Sequence, residues 1–320
     1  MSQTPRTSSP RRLTELLDSR FMARLDALDV LSRKIFQGKL AGERRSKRRG
    51  QSAEFADHRQ YAVGDDLRFL DWNVYARLDQ LFIKLFLEEQ DLAVEVVMDY
   101  SGSTGALPYA GDSPSKGWAI RRLAAALAYI ALVNNNRVTV SGFADGLVGR
   151  LANMRGRAYL PHLAEFLLAG FGDEHRAEEP VGISDFDKAC RQLTAGRTSS
   201  GVVIVISDFL FKGGYESGLR RLIGAGDRRP DLYVIQMLTP AEFDPPFAGD
   251  MKLVDVEDGD RAEVTLNAAT LGYYRKVLAA YCNELKEFCT RRGAIYALAR
   301  SDDPVEALVL KHLRQRGMLG

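Results

Sequence analysis

A carboxylate and two hydroxyls stand at alternate positions in Asp99-Tyr100-Ser101-Gly102-Ser103. All three are hard oxygen donors, the kind that Mg²⁺ selects. The residues before them, Ala93 to Met98 (AVEVVM), are too few and too rich in valine for a helix and read as a buried parallel strand. The polar triplet then falls in the loop past the strand's carboxyl end, where open α/β sheets bind ligands. A second buried run, Gly201 to Ile206 (GVVIVI), ends the same way in Ser207-Asp208. If these two strands are neighbours, Asp99 and Asp208 meet at one crevice. Asp208 would then bind a metal directly or through water.

Other chemistries fit less well. The P-loop pattern G-x-x-x-x-G-K-[ST] is absent, and Gly102 and Gly105 do not make a dinucleotide fingerprint. An aspartyl-phosphate phosphatase wants a second aspartate where Ser101 stands, so general acid–base work has no evident provider. Tyr100-Ser101-Gly102 is not a nucleophile elbow. His58, His162, His175 and His312 are scattered without metal-ligand spacing.

The elements that must position these residues alternate along the chain. Helices are expected at Ser115 to Asn134, Ala158 to Leu168, from Ile183 (with Ser184 or Asp185 as N-cap), at Tyr215 to Gly224, Ala268 to Arg291 and Pro304 to Arg316. Strands are expected at Arg137 to Phe143, returning antiparallel through Asp145-Gly146 to Leu147–Leu151, and at Leu232 to Leu238 and Ala294 to Leu298. Residues 240–262 read as loop with a short hairpin. The alternation gives an α/β fold, a mostly parallel sheet covered on both faces.

Upstream, residues 1–12 hold Ser, Thr, Pro and Arg with nothing to bury, and read as a disordered tail. Leu13 to Phe36 carries apolar residues at helical spacing. Lys39, Arg44, Arg45, Lys47, Arg48 and Arg49 then face Glu43 alone, either as a solvated basic loop or as an anion contact. No aromatic residues are interleaved for base stacking, which argues against nucleic acid as the ligand of this stretch. Residues 51–92 alternate charged and aromatic side chains without a clean period. Arg59, Asp65, Asp66, Arg68, Asp71 and Arg77 there could form an ion-pair network or a partner-binding surface. The expected division is tail 1–12, N-terminal segment 13–92 and sheet domain 93–320.

With 320 residues, 46% hydrophobic and 27% charged, the chain has the composition of a soluble globular protein, and its net charge of +2 does not mark it as a general polyanion binder. Cys190, Cys282 and Cys289 form no C-x-x-C pair and give no disulfide framework, which suits a reducing compartment. The most apolar segment, Ala119 to Val133, is too short to span a membrane and contains Arg121 and Arg122. A cytoplasmic location is the expectation by elimination.

Asp-x-Ser-x-Ser after a buried strand, Ser184-Asp185 at the start of a middle helix, and Asp208 after the next buried strand resemble a von Willebrand factor A domain. That resemblance implies a Rossmann-type sheet whose loops form a metal-ion-dependent adhesion site. Its ligands here would be Asp99, Ser101, Ser103, Ser184 and Asp208, holding Mg²⁺ or another divalent cation. The block Glu54, Phe55, Asp57, Arg59, Tyr61, Gly64, Asp65, Asp66, Arg68, Asp71, Trp72, Ala76 and Arg77 closely resembles the bacterial domain of unknown function 58 family, and the likeness runs from about Gly38 to the C-terminal RGML. It implies a non-enzymatic binding module that works with a MoxR-type AAA+ ATPase on a client protein, the client supplying a carboxylate to the metal. Many members of that family begin with membrane helices, whereas this chain begins with amphipathic helix and basic loop. The alternatives are a Mg²⁺-dependent enzyme acting on a phosphate, with Asp99 as nucleophile, and nucleic-acid binding through residues 39–49.

Overall fold

The computed structural model describes residues 12–30, 54–63, 65–87, 92–105, 115–169, 185–195, 201–224, 229–246, 249–254 and 260–319. The basic stretch 39–49, the tail up to residue 11, and Ser184 lie outside them.

In chain order, a 3₁₀ turn (Leu13–Glu15) leads to α1 (Ser19–Leu25). Next come β1 (Glu54–Gln60), α2 (Trp72–Leu78), β2 (Phe82–Leu87), β3 (Ala93–Asp99) and a single helical turn, α3 (Gly102–Gly105). Then follow α4 (Lys116–Val133), β4 (Arg137–Ala144), β5 (Gly146–Met154), α5 (Leu160–Ala169) and α6 (Phe186–Ala195). The last part runs β6 (Val202–Ser207), α7 (Glu216–Ile223), β7 (Asp231–Leu238), α8 (Pro240–Phe243), β8 (Gly249–Val254), β9 (Arg261–Leu266), α9 (Ala268–Arg291), β10 (Ile295–Arg300) and α10 (Val305–Ala307), which continues as a π turn, Leu308–Leu313.

Among the described residues six strands form the central sheet, in the order β10-β7-β6-β3-β4-β5. All neighbours are parallel except β4 and β5, which form the expected antiparallel hairpin. From β3 the chain goes first to β4 on one side and later returns to β6 on the other. The order therefore reverses at β3, and loops leaving β3 and β6 diverge to make a crevice at their carboxyl ends.

Side chains alternate across β3, so its two faces feed two cores. Val94, Val96 and Met98 pack with α4, α5 and the C-terminal segment, and Val97 packs with Phe143, Phe186 and residues of α6, α7 and α9. α4 is apolar nearly all round, and it is buried along almost its whole length. Ser115 caps its start by accepting from the Trp118 amide at 3.2 Å, and Asn267 does the same for α9 from Thr270 at 2.9 Å. At α6 the cap is Asp185, which accepts from the Lys188 amide at 2.8 Å.

The structure divides the chain differently from the expected 13–92 and 93–320. One compact unit comprises the N-terminal segment together with everything from Leu92 on, and the other is Gln37–Asp91. Leu13, Leu16, Leu17, Phe21, Leu25, Leu28 and Val30 belong to the same core as the sheet. Arg122 donates to the Leu16 carbonyl at 2.9 Å, the Tyr129 hydroxyl to Asp26 at 2.8 Å, and Asn134 to the Leu28 carbonyl at 2.6 Å. An amphipathic stretch buries its apolar stripe wherever a complementary face exists, and here α4 provides it.

In the smaller unit β1 and β2 pair antiparallel. Asp71 caps α2 through the Asn73 and Val74 amides, at 2.9 and 3.2 Å, and bonds His58 at 2.9 Å. Cys190, Cys282 and Cys289 are buried. Among the described residues no helix is long and apolar enough to cross a membrane.

Candidate metal centre

Asp99, Ser101, Ser103 and Asp208 come together at the carboxyl ends of β3 and β6. Asp99 closes β3, and its carboxylate accepts from the Ser101 amide at 2.8 Å, a local bond that forces the chain to turn directly after the strand. Thr104 locks that turn from inside by donating to the Ser101 carbonyl at 2.9 Å and lying 3.2 Å from that of Asp99. The turn brings the Ser101 and Ser103 hydroxyls to 3.0 Å of each other. Ser103 in turn donates to Asp208 at 3.0 Å across the crevice. Asp99, Ser101 and Asp208 are buried, and Ser103 is the half-buried member through which the cluster meets solvent.

The other side of the crevice is set by the backbone after β6. Ser207 donates to Asp99 at 2.5 Å and accepts from the Phe209 amide at 2.9 Å. Phe209 has φ of 58°, the left-handed region that a bulky side chain rarely adopts. Such a residue costs on the order of 1–3 kcal/mol and persists only where its surroundings hold it. Here Tyr281 on α9 donates to the Phe209 carbonyl, Gln236 on β7 donates to the Asp208 carbonyl at 2.8 Å, and the ring packs among Phe186 and Phe211. The kink turns the Asp208 side chain toward Ser103.

Two residues at the site carry no signal in the sequence patterns, and a third carries only a weak one. Lys116 is 4% exposed and places its ammonium 2.6 Å from both Asp208 and Glu242. It reaches the site because Gly117 lets the first turn of α4 sit against α3. A Cβ at Gly117 would lie 2.8 Å from the Thr104 carbonyl oxygen. Glu242 is fixed in its turn by a capping box on α8, accepting from the Thr239 amide at 2.6 Å and the Thr239 hydroxyl at 3.0 Å. Ser207, the third, is legible only as a polar residue ending a strand.

Electrostatically the site is a concentration of negative charge with Lys116 as its counterion. Burial first, and the Asp208 carboxylate second, push Asp99 up to about 7, against the hydrogen bonds from Ser207 and Ser101. Burial alone would lower the Lys116 ammonium, but Asp208 and Glu242 override it and hold it raised. Among the described residues no three His, Cys, Asp or Glu side chains are grouped to hold a metal. What converges is two carboxylates and two hydroxyls, all hard donors whose chemistry fits Mg²⁺, an ion that keeps several waters and needs few protein ligands. The residues present therefore fit the cation that the sequence implies, with Lys116 as a competing positive charge.

The smaller unit holds the other charged candidates. Arg59 pairs with Asp65 at 2.8 Å and Arg68 with Asp66 at 2.5 Å, while Asp71 is the buried cap of α2. Arg77 is exposed in the last turn of α2. Around them Val63, Leu67, Phe69, Trp72, Tyr75 and Leu78 are all exposed, with Trp72 and Tyr75 in edge-to-face contact at 6.2 Å.

A protein of Mycobacterium tuberculosis described as uncharacterised is 24% identical to this chain over 305 residues, covering 94% of this chain and 92% of its own. A shorter one from Mycobacterium avium is 28% identical over 138 residues, 43% of this chain and 79% of its own. Among solved structures, the conserved hypothetical protein BatB from Bacteroides thetaiotaomicron aligns with 71% of this chain and 98% of its own, at 15% identity and a TM-score of 0.40. The family model described as protein of unknown function DUF58 matches residues 57–281, which contain the charged block from Asp57 on, both strand-end aspartates and most of the sheet, and the chain belongs to that family.

Proposed function

We propose that this chain is a non-enzymatic, metal-dependent protein-binding module of the von Willebrand factor A type. One observation carries the reading. Two loops 105 residues apart in sequence are bonded side chain to side chain, Ser103 to Asp208, at the point where the strand order reverses. A divalent cation there would supply a Lewis-acidic position for an acidic group of a partner. Asp99, Ser101, Ser103 and Asp208 would hold it, and Ser103 stands at the opening. A client carboxylate is the partner group of matching chemistry, and a MoxR-type AAA+ ATPase is the co-worker that the family resemblance implies.

Capture of partners from a bacterial lysate, with wild type and Asp99→Ala, each with and without Mg²⁺, tests this. The expected result is a set of proteins retained only by wild type with Mg²⁺. The same proteins in all four samples would refute the metal-gated reading.

The smaller unit offers a second contact. Aromatic and arginine side chains are the usual anchors of protein interfaces, and truncating one commonly costs 2 kcal/mol or more of binding, roughly thirtyfold. Trp72 is 64% exposed, so Trp72→Ala is expected to leave the thermal unfolding curve in place while weakening partner capture by about tenfold or more. Unchanged capture would remove this surface from the proposal.

A further inference from the structure

Lys116 is a buried ammonium shared between two carboxylates that have different jobs. Asp208 belongs to the oxygen cluster with Ser103. Glu242 does not, and its second oxygen is tied into the α8 capping box. We propose that Lys116 is a tethered cation competing with a divalent ion for Asp208, and that metal binding moves its ammonium wholly onto Glu242. This rests on the metal-site reading above and names the residue that sets how tightly the site binds.

The charge count supports it. Asp99 and Asp208 together match a divalent cation, which leaves Lys116 and Glu242 as a neutral pair. With the metal absent, Asp208 is compensated by Lys116 and by hydrogen bonds from Ser103 and the Leu210 amide, each at 3.0 Å. A buried carboxylate needs such compensation. With the metal bound, an ammonium 2.6 Å from one of its ligands would repel it. Glu242 provides an acceptor already at 2.6 Å and held in place, so the ammonium only has to lose one of its two partners. The exchange also ties metal binding to α8, because the capping box that fixes Glu242 starts that helix.

Titration calorimetry of the full chain with Mn²⁺ and with Mg²⁺ tests the proposal. Lys116→Met keeps the stem and removes the charge, and is expected to bind either ion about tenfold more tightly than wild type, within the usual range of couplings between ligands. Glu242→Gln should weaken binding in wild type and change it less than about twofold in the Lys116→Met background, since Glu242 acts through the ammonium. If wild type binds and Lys116→Met binds equally or more weakly, the competition is refuted while the metal site stands. If neither binds although both are folded, the metal site falls and the competition with it. Should Lys116→Met not fold, a crystal structure of wild type with Mn²⁺ decides the matter. Lys116 out of reach of Asp208 but still bonded to Glu242 supports the exchange, and Lys116 still on Asp208 beside the bound ion overturns it.

Discussion

Asp99→Asn is expected to stabilise the metal-free protein at pH 8 by about 2 kcal/mol, and to do so much less at pH 5. The Asp99 carboxyl is moved from 3.8 to about 7 by burial and by Asp208, so the folded chain holds its proton more tightly than the unfolded chain does. A raised carboxyl contributes stability that is fully present below its unfolded value and lost as the pH rises through its folded value. Metal-free wild type should therefore lose stability between about pH 4 and pH 7 and level off above. The groups facing this carboxyl are Asp208, the Ser207 hydroxyl and the Ser101 amide and hydroxyl, and Lys116 pairs with Asp208. Ionising a group displaced this far costs at most about 4 kcal/mol. Asparagine gives part of that back. Its oxygen can still accept from Ser101, but its amide cannot take the proton that Ser207 donates, which leaves that hydroxyl short of an acceptor. Denaturant unfolding in chelator at pH 5 and pH 8 reads the difference directly, and at pH 8 the melting temperature should rise by about 3 °C. A gap between the two proteins that does not widen with pH would show that Asp99 is not held protonated. The same substitution should abolish any stabilisation by Mg²⁺, which sets a gain in stability against a loss of function at one residue.

Gly201→Ala should be among the most damaging single substitutions outside the site, at about 3 kcal/mol or more. Gly201 enters β6 directly beside the start of β3. A Cβ there would lie 2.2 Å from the Ala93 carbonyl oxygen and 3.0 Å from the Ala93 Cβ. The clash is with backbone, so no side chain can rotate out of the way. Moving β6 aside would also strain the bond in which Asp231 donates to the Gly201 carbonyl at 2.8 Å, and with it the register of β7. Gly272→Ala is the matched control. It lies within α9 with nothing inside 4 Å of its Cβ position, and alanine there should stabilise by about 0.5–1 kcal/mol. Melting curves of the two variants should shift in opposite directions. Equal, small shifts would mean that β3 and β6 are not packed this closely.

Much of the frame was readable before the structure. A strand buried on both faces must be apolar at nearly every position, and β3, β6 and β7 show this as runs of valine, isoleucine and leucine. α9 begins after Asn267 and ends at Arg291, and the sequence bounds of Ala268 to Arg291 match it residue for residue. The hairpin at Asp145-Gly146 was legible because Gly146 has φ of 89°, a conformation glycine adopts without strain. The short hairpin within residues 240–262 was placed approximately, and β8 and β9 extend it to Leu266. The apolar stripe expected over Leu13 to Phe36 is present in its described part, to Val30, as a 3₁₀ turn and the short α1; its partner was not legible, because a stripe states that a face will be buried without saying against what.

The sequence by itself therefore determined that strands end in aspartates, and that hard oxygen donors follow the first of them. It did so because burial, turn chemistry and donor type are properties of short segments. Only the tertiary structure decided that β3 and β6 are neighbours, so that Asp99 and Asp208 face one crevice. It also decided that Lys116, 92 residues from Asp208 and 126 from Glu242, lies between those two acids. No local period encodes such a meeting. It follows from the sheet order, from Gly117 letting α4 approach α3, and from the left-handed turn at Phe209 that aims Asp208 inward.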